Sequence, residues 1–244
     1  MKTPWLFLLA LAGTLASTRA ASFFEATFPV ASGLLPDGDL NGRVDVRRLT
    51  GVEGTLLDVD VRVVIAGAGP DGGWVGDLYG TLQHESGFAV LLNRPGRGAG
   101  DEFGVSGGGI DGWFDDSGAG GDVHLLLDGD VPYTGSWAPD GRTVLPTAPA
   151  ASFEGAGRPA LLGSFVGLPV DGDWTLLLID TSSGGLMELR EWGLRLAYEP
   201  SGIDSGGPVG PGSVVPEAGS WWVGGAGVLA AALGRRAGRR STGA

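Results

Sequence analysis

Five aspartates stand where short apolar runs meet glycine-rich turns, and their carboxylates are the side chains of this sequence best suited to hold a cation. Asp77 precedes one apolar run, Asp180 ends another, and Asp115, Asp116 and Asp122 lie in the segment "DDSGAGGD". Oxygen ligands of this kind suit calcium. If the folded chain gathers at least three of them, we expect a calcium site. The alternative is that they shape turns, because Asp readily bonds nearby backbone.

A second carboxylate motif, "DGDLNG" at residues 37–42, resembles the first half of a calcium loop. Such a loop needs a bidentate acid at its twelfth position, which is Arg48 here. The spacing therefore favours a simple turn over partial calcium ligation.

Nucleophilic catalysis would need a base, and the sequence offers two histidines, His84 and His124. His84, Glu85 and Ser86 have the residue types of a catalytic triad, but neighbours on a strand point to opposite faces. We interpret both histidines as structural and predict that the chain is not an enzyme.

Composition favours an all-β domain with a substantial core. The chain has 244 residues, 47 of them Gly, with 43% hydrophobic residues and no Cys. Enough apolar area exists for a core, so disorder is excluded for most of the chain. A net charge of −12 argues against a nucleic-acid partner.

Five segments read as strands separated by turn signals such as "PDG" and "SSGG". In "LLDVDVRVVIAG" the alternation places Leu57, Val59, Val61 and further odd-numbered residues on one face. A short helix is possible at residues 186–190, before period two resumes. The segments predict a β-sandwich or jelly roll over residues 21–199; they are residues 56–67, 77–84, 88–94, 173–180 and 190–199.

Both ends of the chain resemble processing signals. Lys2 followed by an apolar run and small residues predicts a secretory signal peptide over residues 1–20, cleaved after Ala20. An uncleaved anchor is the alternative. At the other end, a short apolar stretch followed by arginines is typical of a stop-transfer transmembrane segment. A Gly/Pro/Ser-rich spacer at residues 200–214 would separate it from the domain.

The tail at residues 215–240 resembles a PEP-CTERM sorting signal. The resemblance rests on a Pro-Glu pair, a short apolar segment and an arginine cluster in that order. It implies a sorting enzyme of the exosortase type as partner, transient anchoring in the membrane, and delivery to the surface or polysaccharide matrix of a Gram-negative bacterium. An ordinary tail anchor is the alternative. The motif residues are Val215, Pro216, Glu217, Arg235 and Arg236.

The middle of the chain resembles the P/Homo B domain, the jelly-roll module that follows the catalytic domain in subtilisin-like proprotein convertases. One motif runs through Trp74, Gly76, Asp77 and Leu78 to a Ser86-Gly87 turn, and its second strand ends at Asn93 and Arg94. A second motif has Gly172, Trp174, Leu176 and Asp180. "PDG" at residues 36–38 and "WAPDGR" at residues 137–142 also match the bacterial branch. The resemblance implies an accessory role beside a serine endopeptidase, whose triad would lie in a separate domain.

These observations predict an exported, noncatalytic β-sandwich module with a binding or structural role. One alternative is an accessory module for a subtilisin-like serine endopeptidase. Another is a glycan-binding module, which would need tryptophans exposed on one face. Trp74, Trp113 and Trp137 lie near glycine-rich turns and are the candidates, whereas we expect Trp174 and Trp192 in the core.

Overall fold

The computed structural model describes residues 20–69, 72–129 and 132–201, together with the backbone of residues 213–216. These residues form β-strands joined by loops and by short 3₁₀ turns, and the strands range from four to fifteen residues. The strands are β1 (Ser22–Pro29), β2 (Arg43–Thr50), β3 (Gly54–Ala68), β4 (Leu78–His84), β5 (Gly87–Asn93), β6 (Gly109–Phe114), β7 (Tyr133–Trp137), β8 (Gly172–Asp180), β9 (Leu186–Pro200) and β10 (Ser213–Pro216).

The strands form two five-stranded sheets, and the predicted all-β class is confirmed. One sheet has the order β1-β9-β3-β6-β7, and the other has the order β10-β2-β8-β4-β5. Neighbouring strands run antiparallel except β6 and β7, which are parallel. Strands such as β3, β8 and β9 turn alternate apolar side chains inward, so the core lies between the sheets.

Strand β3 shows where alternation alone misplaces a residue. Val59, Val61 and Val63 are buried as predicted, but Leu57 is exposed and Leu56 takes the buried position. The cause is a β-bulge: Leu56 pairs with Tyr198 and Asp58 pairs with Ala197, which leaves Leu57 as the extra residue. The prediction that Leu57 lies on the inner face is therefore wrong.

Strands β8 and β9 supply the largest core side chains. Strand β8 is the central strand of its sheet, and Trp174 and Trp192 are fully buried, as expected. The short helix considered at residues 186–190 does not form, because β9 already begins at Leu186 and buries Met187 and Leu189 with period two.

Local geometry explains why two positions of the motifs are glycine: Gly76 is closely packed, and Gly172 has a positive φ. A Cβ on Gly76 would lie 2.4 Å from the carbonyl oxygen of Phe103, and the Gly76 amide donates to Val105 at 2.9 Å. Gly172 has a φ of +133°, which side chains rarely adopt. Gly76 fixes the entry to β4 beside Asp77, and Gly172 begins β8 at the opposite end of that strand from Asp180.

The processing signals fall mostly outside the described residues. The predicted signal peptide lies there except for Ala20, as do Glu217, Arg235, Arg236 and the apolar tail segment. No helix among the described residues is long and apolar enough to cross a membrane. Strand β9 extends to Pro200 and β10 begins at Ser213. Most of the spacer predicted at residues 200–214 therefore lies outside the described residues.

Candidate functional site

Asp77 and Asp180 lie together at one end of the second sheet, where β4 begins and β8 ends. Asp180 pairs across the sheet with Leu78, next to Asp77. The Arg94 guanidinium donates to Asp77 Oδ1 at 2.8 Å and to the Gly76 carbonyl oxygen at 3.0 Å. We refer to Asp77, Arg94 and Asp180 as the Asp180 corner. In this corner the side chain that pairs with Asp77 is an arginine.

Negative charge exceeds positive charge in the Asp180 corner. Burial, followed by the charge of Asp77, raises the pKa of Asp180 to about 7, although a backbone hydrogen bond from Ser182 and the charge of Arg94 oppose the rise. Burial and the charge of Arg97 lower the pKa of Arg94. The corner therefore tends to hold a proton near neutral pH.

Asp115 and Asp116 serve as turn formers on another part of the surface. Asp115 Oδ1 accepts the Ser117 amide at 2.7 Å and its hydroxyl at 2.8 Å. Asp116 accepts the backbone amides of Leu162 and Gly163 at 2.9 and 2.7 Å, so its carboxylate anchors a 3₁₀ turn. Both contacts match the alternative in which Asp bonds local backbone.

These two carboxylates also act on Asp60 of β3. Burial and the negative charges of Asp115 and Asp58 raise the pKa of Asp60 to about 6, against the lowering effect of Arg195. The Arg195 guanidinium lies 3.8 Å from Asp60 Oδ2.

The structure does not bring the five predicted aspartates into one site. Asp122 has a different partner and accepts two hydrogen bonds from Arg142, at 2.8 and 3.2 Å. Among the described residues, no three metal-ligating side chains are grouped so that they could hold an ion. The "DGDLNG" segment is a turn in which Asp39 accepts the Asn41 amide at 2.9 Å. The predicted convergence of Asp77, Asp115, Asp116, Asp122 and Asp180 is therefore not observed.

His84 is buried and bonded on both sides of its ring. Nδ1 lies 3.0 Å from the Asp173 carbonyl oxygen and Nε2 lies 2.8 Å from that of Pro169. The ring stacks on Trp174 with a centroid distance of 4.0 Å. Both ring nitrogens therefore face backbone carbonyl oxygens rather than a hydroxyl group that they could activate.

His124 lies in a buried network at a different position. Its Nδ1 is 2.7 Å from Asp140 Oδ2, and its Nε2 is 2.9 Å from the Arg97 carbonyl oxygen. The His124 carbonyl oxygen also accepts the Gly96 amide. His124 thereby holds the loop that follows β5 against the fully buried Asp140.

Two arginines complete what we call the Asp140 network, formed by Asp122, His124, Asp140, Arg142 and Arg158. Arg142 donates to both Asp122 and Asp140. Burial opposes its charge, but the hydrogen bond to Asp122 and the charge of Asp140 raise its pKa overall. Arg158 donates to the Asp140 carbonyl oxygen at 2.9 Å. The network balances its two carboxylates with two guanidinium groups.

Sequence reasoning missed this network. The available signal was the "WAPDGR" segment, which contains Asp140 and Arg142. Nothing in the local sequence connects that segment to His124 or Asp122, because they meet through loops that approach one another only in the folded sandwich.

A cleft of about 420 Å³ opens beside the Asp140 network. Its apolar rim includes Leu125 and Leu127, which are 69% and 81% exposed. Phe153 is buried beneath it, stacked on His124 and lying 5.6 Å from the Arg97 guanidinium. The cleft is lined by residues 96–98, 124–127 and 153–155 and by Arg142.

The three candidate tryptophans among the described residues do not form the exposed platform that glycan stacking would require. Trp137 is buried, Trp74 is 39% exposed, and Trp113 carries the Arg195 guanidinium 4.2 Å above its ring. Trp74 and Trp113 do not line the described cleft. The apolar surface at this cleft is leucine rather than tryptophan.

Comparisons with known proteins return a distant structural likeness. No protein-family model matches the chain, and no curated protein matches it. Two solved structures are similar: the serine protease of Aeromonas sobria in complex with its chaperone ORF2 (TM-score 0.41, 13% identity) and that protease in a structure of its own (TM-score 0.39, 12% identity). Each comparison covers 75% of this chain and 28% of the protease. The resemblance to the P/Homo B domain therefore stays a prediction.

Proposed function

We propose that this chain is a noncatalytic, protein-binding module of an exported protein that is sorted to the cell surface or its polysaccharide matrix. The observation that carries the noncatalytic part is the state of the two histidines. Each ring nitrogen of both histidines faces an oxygen atom of the fold, so neither ring is positioned to accept a hydrogen bond from a nucleophile unless one of these contacts is broken.

The leucine-rimmed cleft is the proposed binding surface. Its volume lies within the roughly 300–1,000 Å³ of ligand pockets. Apolar side chains exposed together around a few charged groups are typical of surfaces that contact other proteins. Leu125 and Leu127 project from the rim while Arg97 and Arg142 line the interior, so the fitting partner is a protein segment that presents apolar residues beside a carboxylate.

A direct binding experiment tests this proposal. The probe is a subtilisin-like endopeptidase inactivated at its serine, with a uronate oligosaccharide and a neutral glucan oligosaccharide measured in parallel. We expect micromolar binding of the protein probe. Leu127→Asp should weaken it at least tenfold without changing the melting temperature, because the side chain is already in solvent.

Phe23→Asp is the matched control. Phe23 is 75% exposed on β1, at the opposite edge of the sheet from β7. It should leave binding unchanged. Binding of an oligosaccharide alone would replace the protein-binding proposal with the glycan-binding alternative, and labelling by a serine-reactive probe that depends on His84 or His124 would overturn the noncatalytic one.

A further inference from the structure

The outer edge of β2 is occupied by a segment from the far end of the chain. Strand β2 pairs with β8 on one side and with β10 on the other. The register on the outer side is antiparallel, and Val215 pairs with Arg48 while Pro216 pairs with Arg47. Strand β10 covers the C-terminal half of β2, from Arg47 to Thr50.

The charged residues of β2 suit an edge that is exposed to solvent whenever β10 is not paired with it. Free edges attract further strands, and proteins protect them with charged side chains. Arg43, Asp45, Arg47 and Arg48 provide such charges on this strand. The covering segment contains two adjacent valines, which favour extended structure.

Proline fixes which amides of β10 face β2. Alternate residues of an antiparallel strand donate toward the partner, and proline is tolerated where the missing N–H would face solvent. Pro216 and Val214 share one parity, so their nitrogens face outward. Ser213 and Val215 therefore direct their amides at Thr50 and Arg48.

We propose that the edge of β2 is a strand-accepting surface whose occupant is this chain's own segment Ser213–Pro216. Docking there holds Val215 and Pro216, the first residues of the predicted sorting motif, against the globular domain. An enzyme that must bind this stretch as an extended substrate competes with β2 for the same backbone hydrogen bonds. When the segment is docked on β2, the sorting enzyme cannot bind it; when the segment is undocked, the enzyme can.

The consequence for sorting rests on the proposed function, whereas the docking itself does not. Twelve residues separate Ser213 from the end of β9 at Pro200. Short tethers of this kind give effective concentrations on the order of millimolar. A strand whose intrinsic dissociation constant is about a tenth of this effective concentration, or lower, would be docked about nine-tenths of the time or more. Exchange of the amides it covers would then be slowed about tenfold or more, while the remaining undocked fraction still allows release.

The test is amide hydrogen exchange on the full chain in detergent micelles, with two matched variants. Val215→Pro removes an inward amide, and we expect exchange at Arg48 and Thr50 to accelerate at least tenfold. Val214→Pro removes an outward amide and should leave both positions as in the parent chain. Ser213→Pro should reproduce the effect of Val215→Pro, and Leu176 in the core of β8 serves as the internal reference.

Equal exchange in Val214→Pro and Val215→Pro would overturn the proposal, as would fast exchange at Arg48 and Thr50 in the parent chain. The rate at which a protease cuts residues 211–217 gives an independent measure and should rise at least tenfold in Val215→Pro. Failure of the sorting function would leave the exchange pattern intact, while failure of docking would abolish it whether or not the tail is sorted.

Discussion

The Asp180 corner and the Asp140 network place the same residue types in similar burial but differ in charge balance. In the corner, Asp77 and Asp180 share a single guanidinium, that of Arg94. In the network, Asp122 and Asp140 meet two guanidinium groups, and the His124 imidazole lies 2.7 Å from Asp140 Oδ2.

This difference shows that the number of nearby cations, rather than the presence of paired aspartates, decides what the carboxylates do. The corner leaves one carboxylate insufficiently compensated, and the pKa of Asp180 rises to about 7. Asp140, although fully buried, accepts hydrogen bonds at both carboxylate oxygens, from His124 and from the Arg142 amide. We therefore expect the network to stabilise the fold when intact and the corner to weaken it when ionised.

The largest effect should come from breaking the balanced network. Asp140→Ala leaves the His124 ring and Arg142 buried without their carboxylate, and removing one partner of a buried ion pair costs roughly 3–5 kcal/mol. Urea denaturation at neutral pH measures the loss in the free energy of unfolding. Glu102→Ala, at an exposed position, is the control and should change that energy by less than about 0.5 kcal/mol. A loss below about 1 kcal/mol for Asp140→Ala would mean that the network contributes little.

In the Asp180 corner, by contrast, removing a carboxylate should stabilise the protein. The unfolded chain has an Asp pKa of about 3.9, whereas that of Asp180 in the folded chain is about 7. The folded state therefore binds more protons in this window, and stability falls as pH rises from about 4 to about 7. Asp180→Asn removes this penalty, so it should stabilise the protein by roughly 1–3 kcal/mol at alkaline pH and by little near pH 4.

Chemical denaturation across the pH range checks this second prediction. The difference in unfolding free energy between Asp180→Asn and the parent chain should grow as pH rises. A constant difference would show that the pKa of Asp180 is the same in the folded and the unfolded chain, and a destabilised variant at alkaline pH would show that Arg94 compensates both carboxylates.

Asp60 offers a smaller version of the same test. Burial and neighbouring carboxylates raise its pKa to about 6, but Arg195 lies close and the side chain retains some solvent contact. As for Asp180, the stability of the folded chain should fall as pH rises, here from about 4 to about 6. Asp60→Asn should stabilise the chain by about 1 kcal/mol above neutral pH. Melting temperatures measured at acidic and alkaline pH suffice, and no gain at alkaline pH would contradict the prediction.

The sequence was sufficient to predict the strands whose patterns are local. The apolar segments that became β4, β5 and β8 were recognised, as was the burial of Trp174 and Trp192. Strand β2 was not predicted, because its arginines interrupt the alternation of apolar and polar residues. Leu57 was misplaced because a bulge depends on pairing with β9, which alternation within β3 cannot reveal.

The candidate site was harder to predict than the fold, because its residues meet only through long-range packing. The sequence identified the aspartates but not their partners: Arg94 for Asp77, Arg142 for Asp122 and a backbone turn for Asp116. The predicted calcium site assumed that loops at strand ends converge. They converge instead on guanidinium and amide donors, which compete with a cation for the same oxygens.

Calcium should therefore have the smallest effect. An ion of this type takes about six to eight oxygen ligands, and among the described residues no three acidic or histidine side chains are grouped to provide them. In the corner, Arg94 would also repel an incoming cation from Asp77. We expect melting temperatures in calcium, magnesium and chelator to agree within about 1 °C, whereas 1 kcal/mol of binding energy would shift a domain of this size by about 2–4 °C. A calcium-specific rise that disappears in Asp115→Asn but persists in Asp180→Asn would locate an ion beside Asp60, where the charges of Asp58, Asp115 and Asp116 act on its carboxylate. It would show that this excess of negative charge is relieved by a metal rather than by a proton.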